Sequence, residues 1–208
     1  MGDFEFLAGF YGILLGLIVA EVAVKLADAI DSHSRRPIGW LTPMLAVLVL
    51  FDVASFWMWL WSLRTVLEVT WPTVIVSTAL GIAYFLAAAL VFPRTPDEWP
   101  DLDAHYWARK RWVLGTLVGI NAIVFARNLA RLLPAWNDVW FFYWQGAYYL
   151  PLVALLFTRK RRWDVALLAF LIVYWSLGAM DIMPDSDWAD RLGVNGTRAS
   201  TGAVVAPR

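Results

Sequence analysis

Six stretches of this 208-residue chain are apolar for about twenty residues each, and no other feature constrains its fold as tightly. A helix rises ~1.5 Å per residue, so a run of that length crosses a hydrocarbon core ~30 Å thick. Inside lipid every backbone polar group needs a partner within the protein, which leaves helices and closed barrels as spanning structures. The stretches are rich in Leu, Ala and Val and lack the two-residue alternation of barrel strands, so they read as helices. The expected fold is all-α: a polytopic integral membrane protein with six transmembrane helices at about 6–30, 41–63, 73–92, 112–133, 139–157 and 165–183. Residues 1–184 would form this domain and 185–208 a polar C-terminal tail.

Composition agrees. Hydrophobic residues make up 61% of the chain and charged residues 16%, with a mean hydropathy of +0.60; soluble domains carry about 25% charged residues. The formal net charge is zero, which gives no case for nucleic acid as a partner. The chain has no cysteine, and this excludes disulfides, thiolate metal sites, iron–sulfur clusters and cysteine nucleophiles together. Its two histidines, His33 and His105, fall in expected loops, so a bis-histidine haem within the membrane is excluded. The N-terminus, Met1 to Glu5, has no basic region and does not read as a cleavable signal.

Basic residues predict the orientation. Arg35 and Arg36 follow the first stretch, Arg94, Arg109, Lys110 and Arg111 lie between the third and fourth, and Arg159, Lys160, Arg161 and Arg162 follow the fifth. Lys and Arg in short loops are retained on the cytoplasmic side. Both termini are therefore expected outside (periplasmic, for a bacterial inner membrane). Tryptophans bracket the stretches: Trp40, Trp99, Trp107, Trp112 and Trp163 at the basic face, Trp61, Trp71, Trp136, Trp140 and Trp188 at the other. Indole rings favour the headgroup level. Trp57, Trp59, Trp144 and Trp175 sit deeper, where helix packing is the simpler reading and a pigment cage the sharper one.

Between the third and fourth stretches, Thr95 to Glu98 matches a capping box and predicts a short surface helix. Asp101, Asp103 and His105 alternate as hard-metal ligands would, but the aspartates are better placed to cap the helix leading into the fourth stretch. No metal and no cofactor is expected. The triplet Asn195, Gly196, Thr197 fits a glycosylation sequon in the polar tail.

The first and fourth stretches echo each other. Gly12 and Gly16 in one superpose on Gly115 and Gly119 in the other, together with Leu14 on Leu117 and Ala23 on Ala126. With three helices per half, such an echo corresponds to a 3+3 inverted repeat, an architecture that recurs in transporters. Independently of any repeat, Gly-x-x-x-Gly pairs point to close helix–helix contact, within the chain or in an oligomer.

Ionisable residues at membrane depth cost at least ~2.5 kcal/mol near the centre and so need partners or a purpose. Asp52 lies near the middle of the second stretch. Glu21 and Lys25 are four apart on the first, with Asp28 on the same face. Asn121 is near the midplane of the fourth, with Arg127 and Arg131 toward its outer end, and Asp181 closes the sixth. Three acids (Glu21, Asp52, Asp181) and three bases (Lys25, Arg127, Arg131) balance, as a structural ion-pair network would. Alternatively, Glu21, Lys25, Asp52, Asn121, Arg127 and Asp181 line a pathway for an ion, a proton or a small anionic solute. No nucleophile elbow, no His-Glu-x-x-His and no intramembrane histidine to act as a base occurs, so an enzyme is not expected. The expectation is a small transporter or channel embedded in the bilayer as a homo-oligomer. The alternative is a non-catalytic subunit or scaffold of a larger membrane complex, packing lipid or pigment.

Overall fold

The structure, a computed structural model, describes residues 3–31, 39–64, 70–95 and 98–180. All the regular structure among them is helical. The helices are α1 (Asp3–Asp31), α2 (Leu41–Ser62), α3 (Trp71–Val91), α4 (Leu102–Arg131), α5 (Val139–Phe157) and α6 (Arg161–Ala179). Each is long and apolar enough to cross a membrane.

Pairwise contacts fix an up–down arrangement. Thr42, at the start of α2, donates to the carbonyl of Leu102 at the start of α4 (2.8 Å), and Arg161, at the start of α6, reaches Asp103 (3.2 Å). At the same end His105 lies 3.0 Å from the Leu90 carbonyl near the close of α3, and Lys110 donates to the Thr158 carbonyl that closes α5 (2.7 Å). The opposite end joins the close of α2 to the start of α1 through Phe4 and Trp61, and the close of α4 to the start of α5 through Phe125 and Phe141. The first end carries Arg109, Lys110, Arg111 and the Arg159–Arg162 run, and is called the basic end below.

α3 lies between α1 and α4, α2 packs on α6 and α4, and α5 bridges α4 and α6. The core is aliphatic with tyrosines set into it: Ile18 and Val22 of α1, Leu48 and Val49 of α2, Leu114 and Leu117 of α4, and Leu152 and Leu155 of α5 are buried beside Tyr11, Tyr84 and Tyr106. The outside is apolar as well. Leu150 and Phe157 are more than 70% exposed, and Ile13, Leu17 and Leu86 are exposed too. Helices apolar on every face suit lipid, where such a surface meets its own kind of solvent.

Helix boundaries depart from the hydropathy reading at two places. α4 begins at Leu102, ten residues before the expected 112, because Asp101 accepts the Ala104 N–H at 2.6 Å and starts the helix in polar sequence. α6 begins at Arg161, with its basic residues in the first turn. An apolar window sees the spanning part of a helix and misses a polar turn that continues it. Of the expected capping box, Pro96 and Asp97 lie outside the described residues; Glu98 N–H bonds the Thr95 carbonyl at 3.2 Å.

The echoing glycines face outward. A Cβ built on Gly12, Gly16, Gly115 or Gly119 meets nothing within 4 Å, so these pairs mediate no contact among the described residues. The close helix approach is made by Gly81 of α3, whose Cβ would meet Leu14 Cδ1 of α1 at 2.9 Å.

Candidate functional site

Asp52 of α2 is fully buried, and three other helices supply its partners. Tyr148 of α5 donates its hydroxyl to Oδ1 at 2.5 Å, and Tyr84 of α3 donates to Oδ2 at 2.9 Å. Asn121 of α4 presents Nδ2 to both oxygens, at 2.9 and 3.0 Å, and is itself anchored to the Leu117 carbonyl one turn back. Tyr84 and Asn121 stand on helices that pack on α2, and Tyr148 reaches in from α5, which packs on α4 and α6, so one carboxyl group ties four helices at one level. All three donors are neutral. No cation reaches Asp52 among the described residues.

Aromatic groups packed on these donors enclose the carboxyl. Tyr149 donates to the Asn121 carbonyl at 3.1 Å, Tyr148 stacks on Tyr174, and Trp175 meets Tyr148 edge-on. On the α1 side Tyr11 and Phe56 pack together beside Tyr84. The Tyr11 hydroxyl interacts with Ser77 of α3, and Trp175 Nε1 is buried without a hydrogen-bond partner among the described residues. The deeper tryptophans thus have structural contacts: Trp175 here, Trp144 stacked on Trp140, Trp59 donating to Asn128 Oδ1 at 3.1 Å, and Trp57 packed against the core.

A second buried polar centre lies toward the basic end. Lys110 Nζ pairs with Asp164 Oδ2 at 2.5 Å, and Tyr106 donates to the same oxygen at 2.8 Å. Nζ also stands over the Trp107 ring at 4.3 Å. Both charges are buried, so each neutralises the other where neither is solvated. On α4, Lys110, Asn121 and Asn128 share one face, at spacings of 11 and 7 residues that the helix repeat brings into line. Between the first two lie buried Val113, Leu114 and Leu117, a dry layer separating two polar levels by about 16 Å along the axis.

The residues picked out in the sequence therefore fare differently. Asp52 and Asn121 are brought into direct contact. Glu21 and Lys25 are half-buried on α1 and form no ion pair with each other or with Asp52 among the described residues. Arg127 points outward, with its guanidinium over the Trp59 ring at 5.4 Å. Asp181 lies outside the described residues, as does any pairing of it with Arg127 or Arg131. Asp101 caps α4, Asp103 bonds Leu41 N–H and Arg161, and His105 stacks edge-on against Trp99, so this trio is engaged separately.

Tyr84, Tyr148, Lys110 and Asp164 were not read as site residues from sequence. Tyrosine carries no hydropathy penalty large enough to stand out. Lys110 looks like one more basic residue in Arg109 to Arg111. The available signal was the shared face of Lys110, Asn121 and Asn128, readable once α4 is known to begin at Leu102.

Compared with known protein families, curated proteins and solved structures, the chain matches none.

Proposed function

We propose that this chain is a small, non-enzymatic membrane transport protein in which Asp52 carries a proton or binds a small cation, with the site occluded. One observation carries the reading: a fully buried carboxyl group, midway along a spanning helix, is held by neutral donors from three other helices and, among the described residues, by no counter-charge. Ionised, Asp52 accepts from Tyr84, Tyr148 and Asn121 at once. Protonated, its O–H needs an acceptor, and the nearest are the oxygens of Tyr84 and Tyr148, so at least one existing donor must turn away. One proton therefore reverses at least one of the hydrogen bonds that tie Asp52 to α3 and α5, the kind of local charge change that biases a two-state element. The dry layer at Leu114 and Leu117 means that access from the basic end requires the helices to part.

The polar positions this reading uses are Lys110, Asn121 and Asn128 on the inward face of α4, two levels parted by the apolar layer, with Asp52 held at Asn121, rather than Glu21 and Arg127. The basic end is proposed to face the cytoplasm on the positive-inside rule, with both termini across a bacterial inner membrane. The inverted repeat has the matched outward placement of the α1 and α4 glycine pairs in its favour; the packing counts against it, since α1 lies along α3 whereas their counterparts α4 and α6 do not pack along each other. Those outward glycine faces also favour a second reading, an oligomeric or scaffold subunit that packs other membrane helices.

Reconstitution into liposomes loaded with a pH-sensitive dye tests the proposal. Wild type should dissipate an imposed proton gradient faster than empty vesicles, and Asp52→Asn should return the rate to that of empty vesicles. Wild-type vesicles as tight as empty ones would overturn it. Unchanged elution and tryptophan emission of Asp52→Asn would establish that the loss is not unfolding.

A further inference from the structure

The N-termini of α2 and α6 come together at the basic end and leave a groove of about 750 Å³ between them, lined by Trp40, Met44, Arg161, Arg162 and Val165. Its lining divides by chemistry. Met44 and Val165, one turn into their helices, present an apolar floor, while Arg161 and Arg162 stand at the mouth with Trp40, which is 71% exposed. Neither helix start has a side-chain cap: Trp40 precedes α2 and Lys160 precedes α6 without such a bond. By contrast, α3, α4 and α5 are capped by Thr70, Asp101 and Asp138.

Asp103 accounts for part of the charge. It accepts the Leu41 N–H at 3.4 Å and the Arg161 Nε–H at 3.2 Å. Gly39 makes room for it, since any Cβ there would overlap the Asp103 carboxylate. Arg161 is thereby held in place across the groove. Arg162 forms no ion pair among the described residues; it lies over the Trp163 ring at 5.9 Å. Among the described residues, the mouth therefore keeps an uncompensated guanidinium beside an oriented one, at the level where exposed Trp40 and Trp163 seek the headgroup region.

An apolar floor beside two guanidinium groups at a membrane surface matches one amphiphile: a phosphate joined through glycerol to hydrocarbon chains. We propose that this groove is a binding site for an anionic glycerophospholipid, its headgroup phosphate held by Arg162 and Arg161 and an acyl chain lying on Met44 and Val165. Guanidinium suits phosphate by its forked donors, and basic pockets between helices at a membrane face are suited to anionic headgroups. The site is separate from Asp52 and does not depend on a transport role.

Native mass spectrometry of the full chain in detergent, titrated with phosphatidylglycerol, phosphatidylcholine or soluble glycerol phosphate, tests this. Wild type should take up one phosphatidylglycerol in preference to phosphatidylcholine, and glycerol phosphate should not displace it. Arg162→Gln should lower phosphatidylglycerol occupancy about fivefold, and Arg109→Gln, exposed on α4 but outside the groove, by less than about twofold. Val165→Trp, which fills the floor and leaves the charges alone, should lower it as well. Equal uptake of the two lipids, equal losses in Arg109→Gln and Arg162→Gln, no loss in Val165→Trp, or displacement by glycerol phosphate would each overturn the proposal. Unchanged elution of each variant keeps misfolding from imitating a loss.

Discussion

Asn121 Nδ2 stands 2.9 Å from one carboxylate oxygen of Asp52 and 3.0 Å from the other, so a single amide on α4 spans the whole acid on α2. Removing it leaves both oxygens one donor short in a site that water does not reach. Asn121→Leu should therefore destabilise the protein by roughly 1–3 kcal/mol, measured by reversible unfolding in mixed detergent and SDS. The same substitution made in an Asp52→Leu background should cost far less, because no carboxyl remains to be stranded. Equal costs in the two backgrounds would mean that Asn121 acts through packing alone.

Lys110 and Asp164 make a sharper cycle, because both are charged and both are buried. Breaking such a pair by removing one partner costs about 3–5 kcal/mol, since the other charge is left without solvent or counter-ion. Lys110→Met and Asp164→Leu should each fall in that range. The double variant should recover most of the loss, because an apolar pair of similar size has no desolvation penalty to offset. The readout is the melting temperature in detergent for the four proteins of the cycle.

These two centres differ in how far the sequence announces them. Asp52 stands alone in an apolar run, and its cost in lipid makes it conspicuous; its partners do not stand out, because a tyrosine is as much at home in a core as at a polar site. The six helices were readable because a spanning segment must be long and apolar whatever it packs against. Which residues meet was not, because the same Gly-x-x-x-Gly spacing serves an inward or an outward face. Gly12 and Gly115 look like contact glycines and face out, while Gly81, in no such motif, makes the close approach. The charge balance that suggested ion pairs on α1 and α4 came from counting, and counting carries no direction: Glu21 and Lys25 stay apart, and the buried pair uses Lys110 and Asp164.

The polar start of α4 rests on a single cap. Asp101 Oδ accepts the Ala104 N–H at 2.6 Å, and the turn that follows supplies Asp103 to α2 and α6. Asp101→Ala should cost about 1 kcal/mol. It should also speed hydrogen exchange in residues 102–106 while leaving 113–128 protected. Asp101→Asn, which keeps an acceptor, should lose much less.

Gly81 and Gly16 give opposite expectations for the same chemical change. At Gly81 a Cβ would lie 2.9 Å from Leu14 Cδ1, and a larger side chain would push α1 off α3. Gly81→Leu should therefore destabilise by roughly 1–3 kcal/mol or more, and Leu14→Ala should relieve part of it by vacating the space. At Gly16 the helix face is open and a Cβ meets nothing. Gly16→Leu should leave the stability of the isolated chain within about 0.5 kcal/mol of wild type. Thermal unfolding of both variants in detergent, at protein concentrations low enough to hold the chain monomeric, measures the difference. A large loss at Gly16 under those conditions would mean that its face is covered within a single chain, and the outward placement of the α1 glycines would be wrong.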